Sequence, residues 1–158
     1  MATKNTTENK QEKTEEKQDK IEKKQVKADK TPDLKWHLID ARDKILGRLA
    51  VEAAKILIGK NKPTYVPYIA GGDGVVVINA RQIKVTGNKL STKLYKHYSG
   101  YPGGLKQTTL DKMLATKPTE VIRQAVKGML PRNKLAGVML GRLKVYPDDK
   151  HPHQAQLK

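Results

Sequence analysis

The chain has 158 residues, with 32 lysines and arginines against 16 aspartates and glutamates, so its formal charge at pH 7 is +16. A charge this high on so short a chain indicates a polyanionic partner. Cysteine is absent, which excludes disulfides, thiolate zinc sites and cysteine nucleophiles and suits a reducing, cytoplasmic setting. Every apolar run falls short of the roughly 18 residues of a membrane span, so nucleic acid is favoured over membrane as the partner.

Residues 1–33 differ in composition from the rest of the chain. They contain nine lysines, eight acids and few apolar side chains, so they cannot bury a core of their own. We expect a charged, low-complexity and disordered N-terminal extension at 1–33, followed by one folded domain at 34–158. The extension is nearly neutral, which leaves almost all of the positive charge to the domain. A solubilising leader is favoured over an arm that becomes ordered on RNA.

The first half of the domain contains two strand patterns and one helix pattern of clear type. Residues 36–40 are typical of a short strand. Apolar residues at helical spacing predict a helix over 46–58, and Gly59 is suited to end it. The β-branched run at 75–78 is typical of a strand that is covered on both faces. A further short strand is expected at 83–86.

The second half begins with a stretch rich in lysine, tyrosine and glycine at 88–107, which we expect to be a loop. A brief helix is expected at 109–114, and an apolar stripe predicts a longer one over 116–129. Another helix at 134–140 and a last strand at 143–146 complete the pattern. Strands that alternate with helices indicate an α/β domain with a largely parallel sheet.

Eight short strings stand in order along the domain. They are Trp36-His37-Leu38-Ile39-Asp40-Ala41, Leu46-Gly47-Arg48-Leu49-Ala50, Gly72-Asp73-Gly74-Val75-Val76-Val77-Ile78-Asn79-Ala80, Thr86-Gly87-Asn88-Lys89, Gly100-Tyr101-Pro102-Gly103-Gly104-Leu105-Lys106, Ala125-Val126-Lys127-Gly128-Met129-Leu130-Pro131, Leu143-Lys144-Val145-Tyr146 and His151-Pro152-His153-Gln154-Ala155-Gln156. With these strings, the sequence resembles the family of ribosomal protein thirteen of the large subunit, in its bacterial form, over about residues 34–156.

The resemblance implies a three-layer α/β/α domain with a mainly parallel four-stranded sheet. It implies a structural constituent of the large ribosomal subunit that binds 23S-type ribosomal RNA, contacts neighbouring ribosomal proteins and supports early subunit assembly and translation. It implies neither catalysis nor a cofactor. The sequence departs from the family pattern at Leu135-Ala136-Gly137-Val138, where Leu-Gly-Arg is common, and Arg142 is the candidate to replace that phosphate contact.

The segment 86–106 combines three kinds of residue that irregular RNA binding needs. Lysines neutralise phosphate, tyrosines stack on unpaired bases, and glycines let backbone N–H groups approach phosphate oxygens. The alternative is a solvated loop whose tyrosines pack on the core. The candidate RNA-binding residues here are Asn88, Lys89, Lys93, Tyr95, Lys96, His97, Tyr98, Tyr101, Gly103, Gly104 and Lys106.

Three further groups are candidates for RNA contact. A basic loop follows the first helix, where lysines also complement the helix dipole, and a basic turn is expected at the surface between two later helices, where an ordinary solvated turn is the alternative. The third group lies near the C-terminus. These candidates are Lys60, Lys62 and Tyr65, then Lys127, Arg132, Asn133 and Lys134, and finally Arg142, Lys144, His151 and His153.

Enzyme and metal functions are disfavoured by the order and number of reactive residues. The glycines at 71–74 precede a strand, whereas a dinucleotide fingerprint follows one, so no small-molecule substrate is expected. His151 and His153 lack an evident third ligand for a metal ion. A free regulatory or DNA-binding protein remains an alternative, because phosphate attraction does not depend on base sequence.

Overall fold

Three parallel strands form the centre of the folded region. The computed structural model describes residues 34–157, so the extension expected at 1–33 lies outside the described residues. The sheet has the order β1-β2-β5, with β1 at Trp36–Asp40, β2 at Gly74–Ile78 and β5 at Leu143–Val145. Every residue of β2 is buried, which confirms the predicted strand that is covered on both faces.

Helices connect these strands, and the predicted first helix is confirmed at its exact bounds. Gly59 ends it in the left-handed conformation at φ 85°, and its N–H donates to the carbonyls of Lys55 and Ile56. The last three helices also lie where the sequence places them, within a few residues, whereas the short helix α2 was not expected. Along residues 34–157 the helices are α1 at Leu46–Ile58, α2 at Lys89–Thr92, α3 at Leu110–Thr116, α4 at Pro118–Met129 and α5 at Leu135–Gly141.

The predicted four-stranded sheet is wrong by one strand. The segment expected as a strand at 83–86 makes a single isolated parallel bridge, between Ile45 and Lys84. The Leu46 N–H donates to the Lys84 carbonyl at 2.9 Å, and the Lys84 N–H donates to the Lys44 carbonyl at 3.0 Å. Because α1 begins at Leu46, the chain leaves the extended conformation before a ladder can form.

The buried core lies between α1, α4 and one face of the sheet. Val75 and Val77 of β2 belong to the same buried cluster as Leu49 and Leu57 of α1 and Ile122 of α4. The N-cap residues of α1, α2, α3 and α4 make no side-chain hydrogen bond to the helix, and each such bond would stabilise its helix by about 1 kcal/mol. Burial contributes about 1.5–3 kcal/mol per large apolar side chain, so packing rather than capping holds the helices.

The opposite face of the sheet is covered by the C-terminal segment. The Trp36 ring lies where a Cβ at Gly74 would stand, and it stacks on His153 with the ring centroids 5.8 Å apart. The Tyr146 hydroxyl is 2.8 Å from Nε2 of His153. Within residues 34–157, the second outer layer is therefore this segment with a 3-10 turn at Gln154–Gln156, rather than the second layer of α-helices that the family resemblance implies.

The stretch expected as a loop at 88–107 is instead largely regular structure. After α2 it forms an antiparallel hairpin of β3, Leu94–Tyr98, and β4, Leu105–Thr109. Gly100 and Gly103 adopt positive φ angles of 92° and 74° in the connecting turn. The expectation was wrong because lysine and glutamine occupy strand positions, so the alternating apolar pattern typical of a strand is missing.

The entrance to β2 packs so closely on the end of α1 that Gly72 has no room for a side chain. A Cβ there would overlap the carbonyl group of Leu57. We expect Gly72→Ala to lower the free energy of unfolding by about 1–3 kcal/mol, because backbone must move. Denaturant unfolding measures this, with Gly71→Ala as the control, since a Cβ at Gly71 meets nothing within 4 Å. Equal stability of the two variants would contradict the packing.

Candidate nucleic-acid interface

The β3–β4 hairpin presents two different faces. Residues directly opposite each other in an antiparallel pair point to the same side, so Lys96 and Gln107 share one face, and His97 and Lys106 share the other. Tyr95 lies on the second face and packs against the core cluster. The face of Lys96 therefore points away from the core.

The three hairpin tyrosines divide into one partly buried and two exposed side chains. The Tyr95 hydroxyl is buried without a hydrogen-bond partner among the described residues, and desolvation raises its pKa. Its ring lies 5.4 Å from Nζ of Lys93. Tyr98 and Tyr101 are 59% and 76% exposed. Base stacking is therefore open to Tyr98 and Tyr101, whereas the structure gives Tyr95 a packing role instead of the expected stacking role.

Lysines of the hairpin region lack acidic neighbours. Residues 85–117 hold six lysines and a single acid, Asp111. Salt bridges elsewhere between 34 and 157 pair Lys44 with Glu52 and Lys84 with Asp43, but none involves Lys96 or Lys106. Positive charge that is left uncompensated on an exposed surface attracts a polyanion.

The predicted basic turn lies between α4 and α5, as the sequence indicated. Lys127, Arg132, Asn133 and Lys134 are all exposed. Asn133 also has a local role, because its Oδ1 accepts a hydrogen bond from the Ala136 N–H at 3.2 Å. The turn therefore offers three cations that are not paired within the described residues.

A cavity of about 500 Å³ lies between the C-terminal end of α4, just before this turn, and the segment 85–93. Its lining includes Lys89 and Lys93 on one side, and Gly128 and Met129 of α4 on another. The end of α4 and the segment 85–93, which are far apart in the sequence, are therefore neighbours in the fold. The exposed cations of this part of the domain are called the lysine surface; it includes both faces of the hairpin, because Lys96 and Lys106 lie on opposite sides of it. Its members are Lys89, Lys93, Lys96, Lys106, Lys127, Arg132 and Lys134.

The loop at 60–68 lies elsewhere. It follows the C-terminal end of α1, whereas the cavity includes Leu46 and Gly47 at the N-terminal end. A helix of 13 residues separates its ends by about 20 Å. Lys60 and Tyr65 are exposed there, so any RNA contact that they make is separate from the lysine surface.

Lys62 has a structural partner. Its Nζ lies 2.6 Å from Oδ1 of the buried Asp73. Asp73 also accepts a hydrogen bond from the Lys35 N–H at 3.1 Å, and its Oδ2 lies 3.2 Å from Nε2 of His37. Burial raises the pKa of this carboxyl, but the hydrogen bonds from Lys62, His37 and Lys35 outweigh it, so the pKa lies below its ordinary value. The predicted RNA contact of Lys62 thus competes with an internal ion pair.

Arg142 and the C-terminal histidines also make internal contacts. Nη1 of Arg142 donates to the carbonyls of Ala70 at 2.9 Å and Gly72 at 2.6 Å. This role differs from the expected replacement of a phosphate contact. His153 is held by Trp36 and Tyr146 as described above, and the Nδ1 of His151 accepts from the His153 N–H at 3.3 Å. Lys144 is half-buried in β5.

No group of three or more histidines, cysteines or acids along residues 34–157 is placed to hold a metal ion. No helix in that range has the length and apolar character to cross a membrane.

Comparison with known proteins decides the family. Residues 34–152 match the family model described as Ribosomal protein L13. The chain belongs to this family. It is therefore a structural component of the large ribosomal subunit, located in the ribosome in the cytoplasm, and not an enzyme.

Curated bacterial relatives agree with the family match. Each is named large ribosomal subunit protein uL13. The one from Thermoanaerobacter sp. (strain X514) is 58% identical over 122 residues, which covers 77% of this chain and 85% of the relative. Those from Geobacter sulfurreducens and Nocardia farcinica are 55% and 53% identical and cover the same 77% of this chain, with 85% and 83% of the relatives covered.

Sequence reasoning missed the cavity in this family member. Gly47, Thr86, Gln124 and Gly128 line it, and none was a candidate site residue. Three of them stand in strings that supported the family resemblance: Gly47 in Leu46-Gly47-Arg48, Thr86 in Thr86-Gly87-Asn88-Lys89, and Gly128 in Val126-Lys127-Gly128-Met129. The strings gave no hint of a shared cavity, because they lie far apart in the sequence.

The Asp73 cluster gives a pH-dependent prediction. We expect Asp73→Asn to lower the free energy of unfolding by about 1.5–3 kcal/mol at pH 7, because charged hydrogen bonds are lost. The folded pKa of Asp73 lies below its ordinary value of 3.8. The stabilisation is therefore complete well above pH 3.8 and disappears as the pH falls through the folded pKa. Denaturant unfolding of wild type and Asp73→Asn at pH 7 and at about pH 3 measures how their difference in the free energy of unfolding changes with pH.

The control is Asp43→Asn, which breaks an exposed pair with Lys84 at 2.8 Å and is expected to change stability by less than about 1 kcal/mol. The difference in the free energy of unfolding between wild type and Asp73→Asn should shrink as the pH falls. A difference that stays constant would contradict an ionised, stabilising Asp73.

Proposed function

We propose that this chain binds 23S-type ribosomal RNA of the large subunit through the lysine surface, with Tyr98 and Tyr101 stacking on unpaired bases. The observation that carries the proposal is the uncompensated positive charge of the hairpin region. Residues 85–117 contain six lysines and only one acid. Exposed tyrosines beside these lysines are suited to single-stranded or irregular RNA, whose bases are available for stacking.

The geometry favours a rigid scaffold that holds separate RNA segments. The lysine surface lies at one end of α1, and the exposed Lys60 and Tyr65 lie at the other, about 20 Å away. We assign Lys60 and Tyr65 to a second RNA contact. Asn88, His97, Gly103, Gly104 and Asn133 are assigned to the first contact as hydrogen-bonding or close-approach groups.

Neighbouring ribosomal proteins are assigned to surfaces without this charge. Leu38 of β1, Val51 of α1 and Val138 of α5 are exposed apolar side chains that suit protein contacts. We further propose that the ribosomal domain comprises residues 34–158, with 1–33 as a separate extension. The family match begins at residue 34, which supports this boundary.

Two lysines of the hairpin test RNA binding directly. We expect Lys96→Ala and Lys106→Ala each to weaken binding of the full chain to large-subunit ribosomal RNA, because each removes one phosphate contact. The slope of log K against log salt concentration should fall by about 0.7–0.9 per lysine. Filter binding at several salt concentrations measures both quantities.

Lys44→Ala is the matched control, because it removes an exposed lysine that is paired with Glu52. We expect wild-type affinity and salt slope for this variant, and unchanged thermal stability for all three. Loss of stability in Lys96→Ala or Lys106→Ala would show a structural role instead, and a flat salt response of the wild type would overturn the proposal.

A role in early assembly has its own test. Depletion of the chain from cells should cause precursors of the large subunit to accumulate, because an RNA contact that forms early is missing. Sucrose-gradient sedimentation with analysis of the precursor proteins measures this. Precursors that lack only this chain and otherwise mature normally would contradict an assembly role.

A further inference from the structure

The cavity beside the lysine surface has the properties of a binding pocket. Its volume of about 500 Å³ lies in the range of small-ligand sites. Its walls are mainly apolar, with Ile45, Leu46, Val85 and Met129 among the residues that form them. Met129 and Gly47 are exposed, so the cavity is open to molecules outside the domain.

Two glycines keep this cavity open. Gly47 lies in α1 and Gly128 in α4, and both line the cavity. Neither has a positive φ, and a Cβ at either position meets no atom within 4 Å. A helical glycine costs about 0.5–1 kcal/mol relative to alanine, so the fold of residues 34–157 gains nothing from them. A ligand that approaches the helix backbone closely would account for both glycines.

The charge around the cavity selects the class of ligand. Lys89 at the start of α2 and Lys93 just after its end both line the cavity. No aspartate or glutamate of the described chain lines it, and neither lysine is in an ion pair there. Thr86 and Gln124 add polar groups to the apolar wall. An apolar slot with two cations and two hydrogen-bonding side chains complements a nucleotide rather than an apolar protein side chain.

We infer that the cavity receives one unstacked nucleotide of the ribosomal RNA. Its base lies between α1 and α4 against the two glycines, the edge of the base meets Gln124 and Thr86, and the flanking phosphates meet Lys89 and Lys93. This inference rests on the proposed function, because it names the part of the RNA that this surface recognises.

Filling the cavity without removing charge tests the inference. Gly128→Met places a side chain in the cavity and improves helix propensity, so the fold is retained. We expect its affinity for large-subunit ribosomal RNA to fall by about tenfold or more, the effect of losing one bound base. Ultraviolet cross-linking of the wild-type complex should join a nucleotide to the peptides that contain Lys89 to Lys93 or Gln124 to Met129, and Gly128→Met should abolish that cross-link.

Gly137→Met is the matched control, because Gly137 is a helical glycine of α5 with open space at its Cβ position and does not line the cavity. It should bind as the wild type does. Wild-type affinity and cross-links in Gly128→Met would overturn the inference and leave RNA binding standing. If Gly128→Met binds RNA normally but fails to enter large subunits, the inference is also overturned. That result would indicate that a protein side chain occupies the cavity. A wild-type chain that does not bind the RNA would overturn the proposed function as well.

Discussion

Complete burial of β2 is the constraint on which the rest of the domain depends. A strand with no exposed residue needs cover on both faces, and the chain provides it in two different ways. Helices α1 and α4 cover one face with an aliphatic core, while Trp36 and the C-terminal histidine segment cover the other. The basic hairpin lies outside this arrangement, so its lysines and exposed tyrosines are free to contact a partner.

Local patterns in the sequence were sufficient to predict the helices and strands of the core. The period of apolar residues in α1, its end at Gly59 and the β-branched run of β2 each depend on residues that are close together in the chain. The hairpin was not recognised, because its strands mix lysine, histidine and glutamine with leucine and tyrosine and its glycines suggested a loop. The fourth strand is missing because α1 begins at Leu46, where the helix pattern already placed it, so Ile45 and Lys84 make only an isolated bridge.

The roles of individual site residues depended on contacts between distant parts of the sequence. Lys62 meets Asp73, Arg142 meets the carbonyls of Ala70 and Gly72, and Tyr95 turns into the core. Composition alone gave these residues the same weight as Lys96 or Tyr101. The structure separates cations that hold the fold together from cations that have no acidic neighbour, and this distinction defines the lysine surface.

The parallel pairing of β2 with β5 also determines when the domain can fold during its synthesis. Val75 and Val77 pair with Leu143 and Val145, which are synthesised long after β2. The core must wait for them, since contacts between distant residues form late. The β3–β4 hairpin joins neighbouring residues and needs no such delay. A nascent chain would therefore display its lysine-bearing hairpin before its hydrophobic core is closed.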